Sequence, residues 1–459
     1  MVIKILCKSF IYTLNFLLFL ILFVIIGEII STINIEKTKN FSGESFVLKR
    51  NEYISVHPAM IRVKFNKTKD NNEFRIFVLG SSQAMGVPYA VPSYDKVASF
   101  FNLVHLPNEG GISTWLEQYF KVIMPASKIT VINAACSGMD MENHLKVFKE
   151  IIDIGNHDLV IFMAGNNERN MSPLVKIENF NAPFPSVKEI KIIRSKFKEI
   201  INYLLNHYYN YAKEVKEIAE KKQIKVYFVT VPSNIRDWKP TDLIDFNERQ
   251  ITTFLNSGNY NEALQILKNK HYEQNSLRLF YIAKCYDKIG YYEKAKMYYL
   301  SAKDQDKSFL RCRSRFNNVV RSLGGKYVKI IDLENTISKY SKNNIAGNDF
   351  FFDYCHFKIK GNILAAKEIC KYYISENNFP DIYIEKINKA RLKGWSSGQL
   401  YALYLIKLAK WTKYEILSGL QGKDTRYIKM IKDNTKKSME EIVKLSRISS
   451  DMENLFQYQ

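Results

Sequence analysis

Cysteine is sparse and dispersed in this chain. The six stand at positions 7, 136, 285, 312, 355 and 370 of 459, and no two form a CxxC pair. That spacing fits neither a zinc site nor a disulfide framework, and it leaves the redox compartment open. Also missing is any Arg-aromatic cluster or nucleic-acid motif, which ranks nucleic acid last among partners. Charge is absent from Ser9 to Ile26, a run of 18 residues, and no A-x-A-like cleavage site follows it. At about 1.5 Å per residue this run nearly spans a hydrocarbon core of about 30 Å. The absences together predict an uncleaved transmembrane anchor over residues 1–33. Lys4 and Lys8 precede the run and favour a cytoplasmic amino end, while Lys37 and Lys39 after it weaken that vote. The expected location of the remainder is outside the cytoplasm, in a bacterial periplasm or at the cell surface.

What is present is ample core material: 46% of residues are hydrophobic and 14% aromatic, enough for two or three units. The 67 Lys+Arg against 46 Asp+Glu give a net charge of +21, which suits lipid headgroups or acidic polysaccharide. The lysines are spread along the whole chain, so a general compositional bias explains them equally well.

Residues 34–72 read as a polar, irregular linker with one short strand. From Phe74 onward, apolar runs fit for buried strands recur at Phe74–Leu79, Ile129–Ala135, Leu159–Ala164, Val226–Val231 and Val328–Leu333. Helical segments separate them at about Lys96–Met124, Met141–Ile154 and Val187–Lys221. Alternation of this kind predicts an α/β fold, a doubly wound five-stranded parallel sheet with all carboxyl ends on one edge. Between the fourth and fifth strands, GNYNEA at Gly258–Ala263 and GYYEKA at Gly290–Ala295 stand 32 residues apart at turns of helical pairs. They resemble the tetratricopeptide repeat, whose period is about 34. Residues 241–304 are thus expected to be a helical insert within a domain of residues 73–240 and 305–380. Two repeats do not stand alone, so the insert should lean on that domain. Residues 381–459 are lysine-rich and helix-forming, a basic C-terminal region.

Four stretches end strands on the same edge of the sheet. Phe74–Leu79 runs into Gly80-Ser81-Ser82, with Ser82 the candidate nucleophile. The second strand runs into Asn133-Ala-Ala-Cys-Ser-Gly138, where Gly138 lets a backbone N–H approach a ligand. The third runs into Ala164-Gly-Asn-Asn-Glu168, and amides there suit oxyanion donation. After the fifth comes Asp353-Tyr-Cys-His356, in which His356 can take a proton while Asp353 fixes its tautomer.

These blocks, in this order, resemble the SGNH (GDSL-like) hydrolases, and most closely the branch with tetratricopeptide-like helices before the last block. The stretch Val231-Pro-Ser-Asn-Ile-Arg-Asp-Trp238 is also similar to that branch. The resemblance covers about Phe74 to Tyr373 and implies a flavodoxin-like sheet. It implies Ser82, Asp353 and His356 as catalytic residues, and Ser82, Gly138 and Asn167 as the oxyanion hole. The family's first-block Asp is replaced by Ser81 and its third-block Asp by Glu168. Ser81 also offers a second hydroxyl, which leaves two candidates for the nucleophile. The implied activity is that of a membrane-anchored serine esterase or deacylase acting on an acyl ester, such as an O-acetylated glycan, with no metal and no cofactor. An O-acyltransferase acting on cell-surface polysaccharide would use the same groups. A non-catalytic anchored scaffold, binding a protein partner through its repeat helices, is the reading without chemistry.

Overall fold

The computed structural model describes residues 43–87, 89–90, 110–172, 187–268 and 272–390. The expected anchor lies outside the described residues, as do residues 391–459 of the basic region. Among the described residues no helix is long and apolar enough to cross a membrane.

The stretch expected to be a linker is more ordered than its composition suggests. Strands β1 (Phe46–Lys49), β2 (Glu52–Ser55) and β3 (Lys64–Asn66) form an antiparallel meander. The turn between β1 and β2 places Arg50 at φ 58, so no glycine announces it. The meander is held down because Phe46, Ala59, Met60, Ile61 and Phe65 enter the main core.

The central sheet follows the apolar runs. β4 (Glu73–Gly80) leads into a one-turn helix, α1 (Ser82–Met85), and the next described helix is α2 (Ile112–Ile123). Then come β5 (Lys128–Asn133), α3 (Met141–Ile154) and β6 (Leu159–Met163). The long helical stretch expected before the fourth strand breaks into α4 (Val187–Ser195) and α5 (Phe197–Lys222), followed by β7 (Val226–Val229). The insert supplies α6 (Glu248–Ser257), α7 (Tyr260–Leu267), α8 (Ser276–Lys288) and α9 (Tyr292–Asp304). The described residues end with α10 (Ser314–Ser322), β8 (Val328–Ile331), α11 (Leu333–Tyr340), α12 (Ile359–Glu376) and α13 (Ile382–Asn388).

Every neighbouring pair in this sheet is parallel, and the order is β5-β4-β6-β7-β8. β6 and β7 are buried along their whole length, as strands covered by helices on both faces must be. The chain steps from β4 to one side for β5 and to the other for β6. It therefore leaves a crevice at the carboxyl end of β4, the position where such sheets bind ligands.

The insert does lean on the sheet domain. Leu279, Phe280 and Ala283 of α8 and Ala295, Tyr299 and Ala302 of α9 belong to the main core. Its own cluster is small: Ile251, Ala263, Leu267, Tyr281, Ile282 and Cys285. Gly258 ends α6 at φ 82, and Gly290, at φ 86, lies between α8 and α9, so both repeated motifs begin at a turn between paired helices.

Candidate active site

Construction starts at Gly80. Its φ is +141, and a Cβ there would stand 1.9 Å from the carbonyl oxygen of Met163 on β6. Only glycine lets β4 stay paired to its neighbour up to this residue and then turn. Ser81 and Ser82 follow, and the structure separates the two hydroxyls that sequence left open. Ser81 is the buried N-cap of α1, and its carbonyl accepts from Met85 N–H at 3.0 Å. Ser82 places its Oγ 2.8 Å from His356 Nε2.

Asp353 and His356 lie on a tight loop between two aromatic anchors. Phe351 and Phe357 are buried, stacked with centroids 5.2 Å apart, and joined by an antiparallel bridge. Within the loop one oxygen of Asp353, Oδ1, accepts the N–H groups of Cys355 at 2.9 Å and His356 at 2.8 Å. The other, Oδ2, accepts from His356 Nδ1 at 2.7 Å. Burial pushes the Asp353 carboxyl up, but the charge of His356 and these three hydrogen bonds outweigh it and hold the group below the ordinary carboxylate value. An ionised Asp353 puts the ring proton on Nδ1 and leaves Nε2 to accept from the Ser82 hydroxyl. Ser82, His356 and Asp353 thus form one continuous hydrogen-bonded chain.

Gly138 and Asn167 sit on the loops after β5 and β6. Cys136 N–H donates to the Gly80 carbonyl at 2.8 Å, which joins the β5 loop to the start of the Ser82 turn. Gly138 has φ +77. Its carbonyl accepts from Asn170 Nδ2 at 2.7 Å, and the Met139 carbonyl accepts from Asn167 Nδ2 at 3.3 Å. The two expected oxyanion groups are therefore tied to each other through Met139. Each Asn amide carries two N–H donors, so Asn167 keeps a second one beyond that bond.

Glu168, where the resemblance expects Asp, is turned away from solvent. Its Oε2 accepts Met141 N–H at 3.1 Å at the start of α3, and Oε1 has no partner among the described residues. Burial, reinforced by the nearby Asp140 carboxyl, raises it well above the ordinary carboxylate range, which favours its protonated form.

Sequence reasoning gave no bracing role to a set of buried amides beneath the site. Gln83, Asn133, Asn166 and Asn234 are all at most 3% exposed. Asn234 donates to the Asp353 carbonyl at 3.0 Å, and its N–H donates to the Tyr354 carbonyl at 3.0 Å, so the loop after β7 fixes the Asp-His loop. The available signal was a polar residue directly behind each strand run, as in Val231-Pro-Ser-Asn234.

Among the described residues, one group is close enough to hold a metal ion: Asp353, Cys355 and His356, with ligand atoms within 4.8 Å of one another. The donor set fits poorly. Burial, and then the Asp353 charge, push the Cys355 thiol well above its ordinary range, and Asp353 and His356 already bond to each other.

No protein-family model matches this chain, and no curated protein does. Solved structures do. An acetyl xylan esterase, AlAXEase, is 14% identical with a TM-score of 0.32, over 65% of this chain and 99% of that one. A lipase/acylhydrolase from Enterococcus faecalis is 13% identical with a TM-score of 0.29, over 66% and 96%. The acetylxylan esterase Axe2 from Geobacillus stearothermophilus is 12% identical with a TM-score of 0.29, over 67% and 95%.

Proposed function

We propose that this chain is a serine esterase of the SGNH type that removes an acyl group, such as acetyl, from an ester. The observation that carries the reading is the unbroken chain Ser82 Oγ to His356 Nε2 and His356 Nδ1 to Asp353, at 2.8 and 2.7 Å. It is assembled from residues 274 positions apart. A structural histidine needs one partner. This one has a hydroxyl on one nitrogen and a carboxylate on the other, in the crevice where the sheet order reverses.

In this mechanism the Ser82 oxygen attacks the ester carbonyl carbon as His356 Nε2 takes the hydroxyl proton. Asp353 stabilises the imidazolium that forms. The N–H groups of Ser82 and Gly138 and the free N–H of the Asn167 amide receive the developing oxyanion. Loss of one such donor costs about 3 kcal/mol in a comparable transition state. The imidazolium then returns its proton to the departing alkoxide, leaving an acyl-serine. Water, deprotonated by His356, attacks the acyl carbon, and Ser82 leaves with the proton that the imidazolium gives back.

The apolar run Ser9–Ile26 supports a membrane-anchored form, and Lys4 and Lys8 before it support an esterase domain outside the cytoplasm. The glycine turns of residues 258 and 290 support reading the insert as tetratricopeptide-like.

The test uses the full chain with p-nitrophenyl acetate and a fluorophosphonate probe. Labelling and hydrolysis are expected in the parent and absent in Ser82→Ala and His356→Ala. Ser82→Ala labelled at the parent rate rejects the nucleophile. Acetyl delivered to a glycan in preference to water moves the assignment to a transferase.

A further inference from the structure

The helix that carries Ser82 cannot hold itself in place. It has four residues, and Ser81 makes no side-chain capping bond to it. One turn of helix is unstable alone, since nucleation costs more than a single hydrogen bond returns. The serine's position must come from what α1 is tied to.

Gln83 is the tie. It follows Ser82 directly and is 1% exposed, and a buried amide is tolerated only when its hydrogen bonds are made. Both ends are satisfied by distant parts of the chain. Nε2 donates to the Pro232 carbonyl at 3.1 Å, in the loop after β7. Oε1 accepts from Asn166 Nδ2 at 3.0 Å, in the loop after β6. Asn166 in turn accepts Cys312 N–H on Oδ1 at 2.9 Å, where the chain returns from the helical insert.

The anchor points are themselves fixed. Val231, beside Pro232, is clasped by Asn317, which accepts its N–H at 2.8 Å and donates to its carbonyl at 3.0 Å. The Cys312 sulfur packs against Gly165, where a Cβ would stand 2.7 Å from it. Farther back in the return segment, Asp306 gathers the N–H groups of Thr241 and Ser308, the Ser308 hydroxyl and the Arg311 guanidinium. An apolar side chain would fill the same space, but it would not fix α1 along the direction from Pro232 to Asn166.

We infer that Gln83 and Asn166 are positioning residues, a buried amide relay that sets the Ser82 hydroxyl against His356 by bracing α1 on the return segment of the insert. The inference rests on the esterase reading above for the role of Ser82. It adds that the insert's exit, remote in sequence, is part of what aligns the nucleophile. Misplacing a reacting atom by about 1 Å costs on the order of 100-fold in rate.

The experiment compares Gln83→Met, Asn166→Leu and the double variant with the parent, all as full chains. Active sites are counted by fluorophosphonate labelling run to completion, and p-nitrophenyl acetate turnover is expressed per labelled site. Each single variant is expected to lose about 10- to 100-fold in kcat with KM unchanged. The double variant should lose less than the two single losses combined, because both singles remove the shared Gln83–Asn166 bond. A residue that only stabilised the fold would lower the labelled fraction and the melting temperature, with kcat per labelled site unchanged. That result overturns the inference. Should Gln83→Met fail to fold, Asn166→Leu carries the test alone, since it removes the bond to Gln83 Oε1 and leaves the Gln83 bond to Pro232. It is expected to show the same loss in kcat, and unchanged turnover per site overturns the inference equally. A parent that folds but takes no label rejects the esterase reading alone. The relay is then judged by a crystal structure of Gln83→Met, in which Ser82 Oγ should leave hydrogen-bond reach of His356 Nε2. An unaltered 2.8 Å contact overturns it.

Discussion

Asp353→Asn tests the site most sharply, because the structure dictates which way the new amide faces. Oδ1 of Asp353 accepts two backbone N–H groups, from Cys355 and His356, and only a carbonyl oxygen can replace it there. The amide nitrogen of Asn is therefore forced into the place of Oδ2, 2.7 Å from His356 Nδ1. A donor facing Nδ1 makes that nitrogen the acceptor and moves the ring proton to Nε2. Nε2 then points an N–H at Ser82 and cannot take its proton. Loss of the correct tautomer in such a constellation costs about 10⁴ in kcat, or about 5.4 kcal/mol at about 1.36 kcal/mol per tenfold. The two backbone bonds that shape the loop survive, so the melting temperature should fall by no more than a few degrees. Asp353→Ala removes these bonds as well and should lose both activity and stability. The assay is p-nitrophenyl acetate hydrolysis by the full chain, paired with thermal melting. Asp353→Asn within tenfold of the parent would refute the reasoning, because it would mean that His356 does not depend on Asp353 for its tautomer.

Two further outcomes follow from groups around the site. Gly80→Ala puts a Cβ 1.9 Å from the Met163 carbonyl at a φ of +141, and should cost on the order of 4 kcal/mol, read as a large fall in melting temperature; a parent-like melt contradicts the geometry. Glu168 has its carboxyl raised well above 4.5, first by burial and then by Asp140, so the folded chain keeps a proton that the unfolded chain releases. Its contribution to stability is complete below about pH 4.5 and is lost as pH rises toward the raised value, whereas Gln at this position never ionises. Glu168→Gln should therefore gain in melting temperature over the parent as pH goes from about 5 to about 9, and a constant difference across that range rejects the uncharged carboxyl.

The sheet was legible because parallel strands buried on both faces read as unbroken apolar runs, Leu159–Met163 being the plainest. Met141–Ile154 was legible to the residue, since Asp140 caps its start with a bond to Asn143 N–H and Gly155 follows its end. The meander of residues 46–66 was not legible. Its strands are three or four residues long, and their turn uses Arg50 and Asn51 where glycine would have marked it. At the site, the order of the blocks along the chain singles out Ser82, Asp353 and His356 as candidates, but which of Ser81 and Ser82 faces the imidazole needed three dimensions. Neighbouring residues on a turn point in different directions, and no spacing rule says which one meets a loop from the far end of the sequence. The tie between Gln83 and Asn166 escaped notice for a related reason. Each is an ordinary amide near a strand end, and its meaning lies in partners between 83 and 149 positions away.

The distance in sequence between hydroxyl and imidazole also governs when the hydrogen-bonded chain of Ser82, His356 and Asp353 can first form. Ribosomes add about 5–20 residues per second, so the 274 positions from Ser82 to His356 take about 14 to 55 s to synthesise. Throughout that interval the Ser82 hydroxyl has no imidazole to bond. A chain that stops before residue 356 cannot assemble this arrangement, however much of the sheet it has already formed.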